Sequence, residues 1–164
     1  MLILIVRHAD AGERDPAKYP DDSLRPLSKR GRKVHARVSE ALSERDLAPD
    51  IVVASPWTRA WQTATIMTKE FSGKKKMKPV PAPSLTTDPD LDAIRTDIGP
   101  MDGIACIALV GHEPWLSELA SLLLTGDPRR LATDIPKSGV LGIETAALEP
   151  GTGTLRFFQR PKLL

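Results

Sequence analysis

Several features are scarce in this chain, and each scarcity removes a class of protein. There is one cysteine in 164 residues, so neither a disulfide framework nor a cysteine-built metal site can form within one chain. Aromatic residues make up only 4%, but 41% hydrophobic and 27% charged residues match an ordinary globular chain rather than a disordered or fibrous one. No apolar span reaches the roughly 18 residues a membrane helix needs. The apolar opening Met1–Val6 stops at Arg7 and has neither a basic leader nor a small-residue cleavage site, so it does not read as a secretion signal. Neither sign of charge dominates: 23 basic against 21 acidic residues leave a net +2, which makes no case for nucleic acid as a partner. The densest basic run, Lys74 to Lys78, reads as a solvated loop. The expectations left are a single domain over residues 1–164, a monomer, a reducing cytoplasm, and no metal or cofactor.

What is present alternates strand and helix. Leu2–Val6 is a continuous apolar run ending at a charge, the pattern of a central strand buried on both faces of a parallel sheet. After a polar loop, Val34, Val38, Ala41 and Leu42 recur at helical spacing between Ser28, a plausible N-cap, and Leu47. Ile51–Ala54 is a second strand, and Ser55-Pro56 is read as opening a helix that runs to about Phe71. Residues 74–100 hold five prolines and read as loop, with a short helix near Leu91–Ile98 and a brief strand at Val80. Ile104–Val110 is a third strand, followed by the turn Gly111–Pro114 and a helix from Trp115 to Leu124, closed by Gly126 and Pro128. Val140–Leu148 and Thr154–Gln159 read as an edge hairpin. The order predicts a three-layer α/β/α sandwich with a mostly parallel sheet.

In such sheets the binding crevice lies beyond the carboxyl ends of the strands. Arg7-His8 follows the first strand, Ser55-Pro56 and then Arg59 follow the second, and Gly111-His112 follows the third. Two arginines and two histidines suit a phosphoryl group, because guanidinium forks match its oxygens and stay charged. A neutral imidazole whose other nitrogen is fixed by a carbonyl can attack phosphorus, and a second histidine can stabilise the charge that develops. Metal binding by the histidines is the competing chemistry, but no His-x3-His or His-Glu-x-x-His spacing occurs, and two arginines would repel a cation. Arg7-His-Ala-Asp-Ala-Gly12 lacks the glycine pattern and lysine of nucleotide-binding loops. Cys106 reads as a small buried hydrophobe. His35, inside a basic helix, reads as solvated or packed on a neighbouring helix, and Trp57, Trp61 and Trp115 read as packing, with Trp57 placed to line the mouth of the site.

At these residues the chain resembles the histidine phosphatase superfamily, and within it the short SixA-like phosphohistidine phosphatases. Arg7-His8 resembles the Arg-His-Gly signature, Leu27-Ser28-Lys29-Arg30-Gly31 the Leu-Ser/Thr-x-x-Gly element, Ser55 to Ala64 the Ser-Pro-x-x-Arg-x-x-x-Thr-Ala element, and Gly111-His112-Glu113-Pro114 the turn carrying a second histidine. The resemblance implies a phosphoglycerate mutase-like fold lacking a large lid insertion. It makes His8 the phosphoacceptor, Arg7 and Arg59 the phosphate clamps, and His112 the second catalytic histidine, the same four residues reached above.

Two departures stand out. Ala9 replaces the signature glycine, and no carboxylate is clearly placed as general acid. Glu113 and Asp10 are the candidates, and neither is assigned. A phosphoramidate has a leaving group far less basic than an alkoxide, so a missing acid points to phosphohistidine on a protein such as a phosphotransfer domain. A broad phosphomonoesterase acting on small phosphorylated substrates, or a non-catalytic phosphate-recognition module, are the alternatives.

Overall fold

The computed structural model describes residues 1–72 and 76–161; Lys74 and Lys75 of the basic run lie outside them. Six strands form one sheet: β1 (Leu2–Arg7), β2 (Ile51–Ala54), β3 (Val80–Pro81), β4 (Cys106–Gly111), β5 (Val140–Glu144) and β6 (Thr154–Gln159). Their order is β3-β2-β4-β1-β5-β6. The first four are parallel, whereas β5 pairs antiparallel with β1 and β6 antiparallel with β5, the last two forming the edge hairpin. Pro81 is tolerated because β3 lies at the other edge, where one face of the backbone needs no partner.

Alternation along the strands divides the core into two. Ile3, Ile5, Ile107 and Leu109 pack with α3 (Leu91–Ile98) and α4 (Trp115–Thr125). Leu4, Val6, Val52, Ala108 and Val110 face the opposite way and pack with α1 (Lys29–Ser43) and α2 (Thr58–Phe71). The result is the expected α/β/α sandwich, and each fully buried Leu, Ile or Val side chain contributes about 1.5–3 kcal/mol over leaving it in water. Among the described residues no helix is long and apolar enough to cross a membrane.

The helix ends show how the sequence sets the boundaries. Ser28 caps α1 by accepting from the Gly31 N–H, and Gly126 ends α4 with φ +81, a left-handed turn that glycine adopts without a Cβ clash. Several expected boundaries shift: β4 begins at Cys106 rather than Ile104, the Ala105 N–H being taken by the Asp50 carboxylate, and three others move as well. Helix α1 stops at Ser43, and the chain turns through Asp46 (φ 55) so that the Leu47 N–H reaches the Leu42 carbonyl. Ser55-Pro56 lies ahead of α2, whose N-cap is Trp57, so the proline sits before the first turn. Strand β5 ends at Glu144, because the Thr145 hydroxyl bonds the Ala147 carbonyl and Thr152 and turns the chain away.

Candidate active site

Register brings three strand ends level. Val110 pairs with Val6 on one side and Ala54 on the other, so Arg7-His8, Ser55 and Gly111-His112 leave the sheet at one height. The His8 N–H donates to the Gly111 carbonyl at 3.1 Å, and the Ser55 N–H to the Val110 carbonyl at 2.9 Å. Arg59 arrives from the first turn of α2. All four residues singled out by sequence therefore converge, and the His8 and His112 ring centroids are 5.1 Å apart.

His8 is 8% exposed. Its Nδ1 lies 2.7 Å from the Ala9 carbonyl oxygen, which can only accept, so Nδ1 carries the proton and Nε2 presents a lone pair. Arg59 Nε–H donates to that lone pair at 3.2 Å. Burial pushes the His8 pKa down to about 4; the Ala9 bond opposes this, and the Arg59 and Arg7 charges add to it. At neutral pH the ring is uncharged, with an Nε2 lone pair able to attack an electrophile.

His112 is turned by Ser55, whose wholly buried hydroxyl lies 2.8 Å from Nε2. Ser55 Oγ accepts from the Trp57 N–H at 3.2 Å and keeps its own proton and a second lone pair for Nε2. When Ser55 donates to Nε2, the His112 N–H sits at Nδ1, a buried atom with no partner among the described residues. Burial, then the neighbouring His8, lower the His112 pKa to about 3. Trp57 stands 4.6 Å from the His112 ring and 4.7 Å from the Arg59 guanidinium carbon, and Trp115 closes the wall 6.3 Å from His112. Trp57 thus lines the site as its position implied.

The arginines are held from outside the pocket. Arg7 Nη1 donates to the Ile135 carbonyl at 2.6 Å and meets Asp134 at 3.5 Å, and its buried Nε has no partner among the described residues. Arg59 Nη1 donates to the Asp22 carbonyl at 2.8 Å and pairs with its carboxylate at 3.2 Å.

The profile of the histidine phosphatase superfamily (branch 1) matches residues 3–86, which include His8 and Arg59. The chain belongs to the histidine phosphatase superfamily. The match stops short of His112, whose place beside His8 comes from the parallel pairing of β1 with β4. An uncharacterized protein of Picosynechococcus is 28% identical over 149 residues, covering 90% of this chain and 87% of that protein. The structure of the protein histidine phosphatase SixA complexed with tungstate superposes with a TM-score of 0.77 at 23% identity, over 99% of both chains. A mycobacterial glucosyl-3-phosphoglycerate phosphatase superposes at 0.60 with 16% identity, over 94% of this chain and 96% of that one. The fold is that of these phosphatases, with no large insertion.

Other motifs of this histidine phosphatase acquire physical roles. Ala9, at the signature glycine position, uses its backbone: the carbonyl holds His8, and the N–H donates to Thr63 Oγ1 at 3.0 Å. Its methyl is wholly buried beside Ala11 and Leu27, so the departure fits. Ser28 N–H donates to the Asp10 carbonyl at 2.9 Å and Ser28 Oγ to the Asp10 carboxylate at 2.8 Å, latching the start of α1 onto the loop that follows His8. A Cβ at Gly31 would lie 2.1 Å from the Asp10 carbonyl oxygen, so glycine alone permits this approach.

The carboxylates around the site are all engaged. Asp10 pairs with Lys137 Nζ at 2.5 Å, and this bond, with help from Ser28, lowers its pKa to about 2. Glu113 accepts from Ser117 Oγ at 2.7 Å, the Ser117 N–H at 3.2 Å and the Ile135 N–H at 3.0 Å. Asp22 is held by Arg25 at 2.8 Å and by Arg59, and both arginines keep it ionised. Sequence reasoning missed Asp22 and Arg25 because their loop carries no periodic signal. It placed Ser55 directly after the second strand, at the crevice, but took it for the start of a helix and gave it no role of its own.

Proposed function

We propose that the chain removes phosphoryl groups through a covalent intermediate on His8, and that its preferred substrate is phosphohistidine on a protein such as a phosphotransfer domain. The observation that carries the reading is the 2.7 Å bond from His8 Nδ1 to the Ala9 carbonyl, which leaves Nε2 as a neutral, aimed nucleophile. On substrate binding, phosphoryl oxygens take the Arg59 Nε–H from Nε2 and satisfy Arg7 Nε and His112 Nδ1. His8 Nε2 then forms a bond to phosphorus as the bond to the leaving group breaks, the electron pair departing with that group. Water next attacks the phosphohistidine, giving inorganic phosphate and restoring His8. The arginines and His112 supply the charge stabilisation, so activity is expected to persist in EDTA.

The substrate follows from the engaged carboxylates. Asp10 and Asp22 each accept two or more bonds that stabilise the ionised form, and both Glu113 oxygens are taken up by Ser117 and the Ile135 N–H, so none of the three is left free beside the pocket. An imidazole leaving group needs a proton donor least. The fold likeness to SixA supports the same choice.

The test is time-resolved hydrolysis of a phosphohistidine-bearing phosphotransfer domain beside an aryl phosphate, in EDTA, with His8→Ala as control. Fast loss of phosphohistidine, slow ester turnover and an inactive variant are expected. Faster ester hydrolysis would make the chain a general phosphomonoesterase, and binding without turnover of either would make it a recognition module.

A further inference from the structure

A groove of about 810 Å³ lies beside the phosphoryl pocket, lined by Asp10, Arg30, Gly31, Lys137, Ser138 and Arg160 among others. It shares backbone with the pocket: the Ser138 N–H donates to the carbonyls of Arg7 at 3.2 Å and His8 at 3.3 Å. Resting on the phosphohistidine reading above, we propose that this groove docks an acidic peptide segment flanking the phosphoryl group of a protein substrate.

Charge is the first reason. The groove sets three cations against one carboxylate, and that carboxylate, Asp10, is already bonded to Lys137 and Ser28. Among the described residues neither Arg30 nor Arg160 meets a carboxylate; Arg160 only stands 5.7 Å over the Phe158 ring. Ser138 is the second reason. It is 1% exposed, sits on the groove wall at φ +62, and its buried hydroxyl has no partner among the described residues. A carboxylate oxygen reaching the wall would accept that proton.

Helix α1 adds a third reason. Its first residues include the exposed Lys29, Arg30, Arg32 and Lys33 and no acid, which places positive charge at the positive end of the helix dipole. That arrangement costs helix stability, and an acidic ligand across Arg30 would offset it. The volume exceeds what one phosphate fills and suits several residues of extended chain.

The test uses His8→Ala, which binds without turnover, and two peptides carrying a non-hydrolysable phosphohistidine analogue, flanked by Asp and Glu in one and by Asn and Gln in the other. The acidic peptide is expected to bind about tenfold tighter at 0.1 M salt, with the preference shrinking at higher salt and vanishing in His8→Ala/Arg30→Glu/Arg160→Glu. Equal affinities, a preference that survives charge reversal, or no binding of either peptide would overturn the proposal. Arg30→Gln/Arg160→Gln with an intact His8 should leave aryl phosphate turnover unchanged and reproduce the lost preference, which separates docking from damage to the fold. Groove-dependent binding of the acidic peptide without hydrolysis of phosphohistidine by the wild type would keep the subsite and sink the catalytic reading alone.

Discussion

In the pocket, His8 and His112 are 8% and 3% exposed, and their ring nitrogens have partners: the Ala9 carbonyl and the Arg59 Nε–H for His8, the Ser55 hydroxyl for one nitrogen of His112. In the middle of α1, His35 is wholly buried, and neither of its ring nitrogens has a partner among the described residues. Burial is the largest cause of the lowered pKa in all three, to about 4 for His8 and about 3 for His112 and His35. A depressed pKa therefore does not distinguish a reactive histidine from a packed one. Polar partners on the ring nitrogens do, because they orient each ring, and the Ala9 carbonyl also fixes the His8 tautomer.

Substitutions can widen or close this contrast. The largest effect is expected from His8→Ala, which should cut phosphatase turnover by roughly 10³-fold or more while leaving thermal unfolding near wild type. An active variant would remove His8 from the mechanism. Next, His112→Asn should lower kcat by about 10²–10³-fold, the usual consequence of losing a donor to developing phosphoryl charge. An unchanged kcat with a raised KM would reduce His112 to ground-state binding.

Acid should reveal the third histidine. Below pH 6.5 the unfolded chain protonates each histidine while the native state resists, so stability is complete above 6.5 and falls as pH drops toward the folded values of about 4 and 3. Each histidine contributes about 1.4 kcal/mol per pH unit in that window. His35→Leu should thus lose about 2 kcal/mol less than wild type between pH 6.5 and 5 in urea unfolding, with activity at pH 7 within about twofold of wild type. An identical acid loss in the two proteins would show that His35 is not buried neutral. The smallest effect is expected from Ser55→Ala, a positioning change: roughly a tenfold fall in kcat with KM held, restored by Ser55→Thr. A fall in KM-dependent binding alone would contradict the orienting role.

The sequence made His8 and His112 legible because each directly follows an apolar run that reads as a buried strand, and the parallel sheet then fixes where such residues emerge. Arg59 was legible through its offset from Ile51–Ala54. His35 could not be resolved between solvent and core, since its helix mixes basic and apolar residues and only the packed structure shows which face it takes. Asp22 and Arg25 were invisible for another reason: they act through a short 3-10 helix at Asp22–Leu24 in a loop whose path depends on bonds from Arg25 to the carbonyls of Ala11 and Gly12. Side-chain ties of that kind leave no periodic trace.

Strand order also bears on how the protein comes into being. Strand β1 has only β4 and β5 as neighbours, and these lie about a hundred residues or more later in the chain. A growing polypeptide therefore holds β1, and His8 directly after it, unpaired until most of the chain has been made, and closing that long loop is slow relative to local helix formation. The enzyme is expected to gain its reactivity late in folding and in one step, when β4 slides between β1 and β2, with no truncated fragment able to carry even part of it.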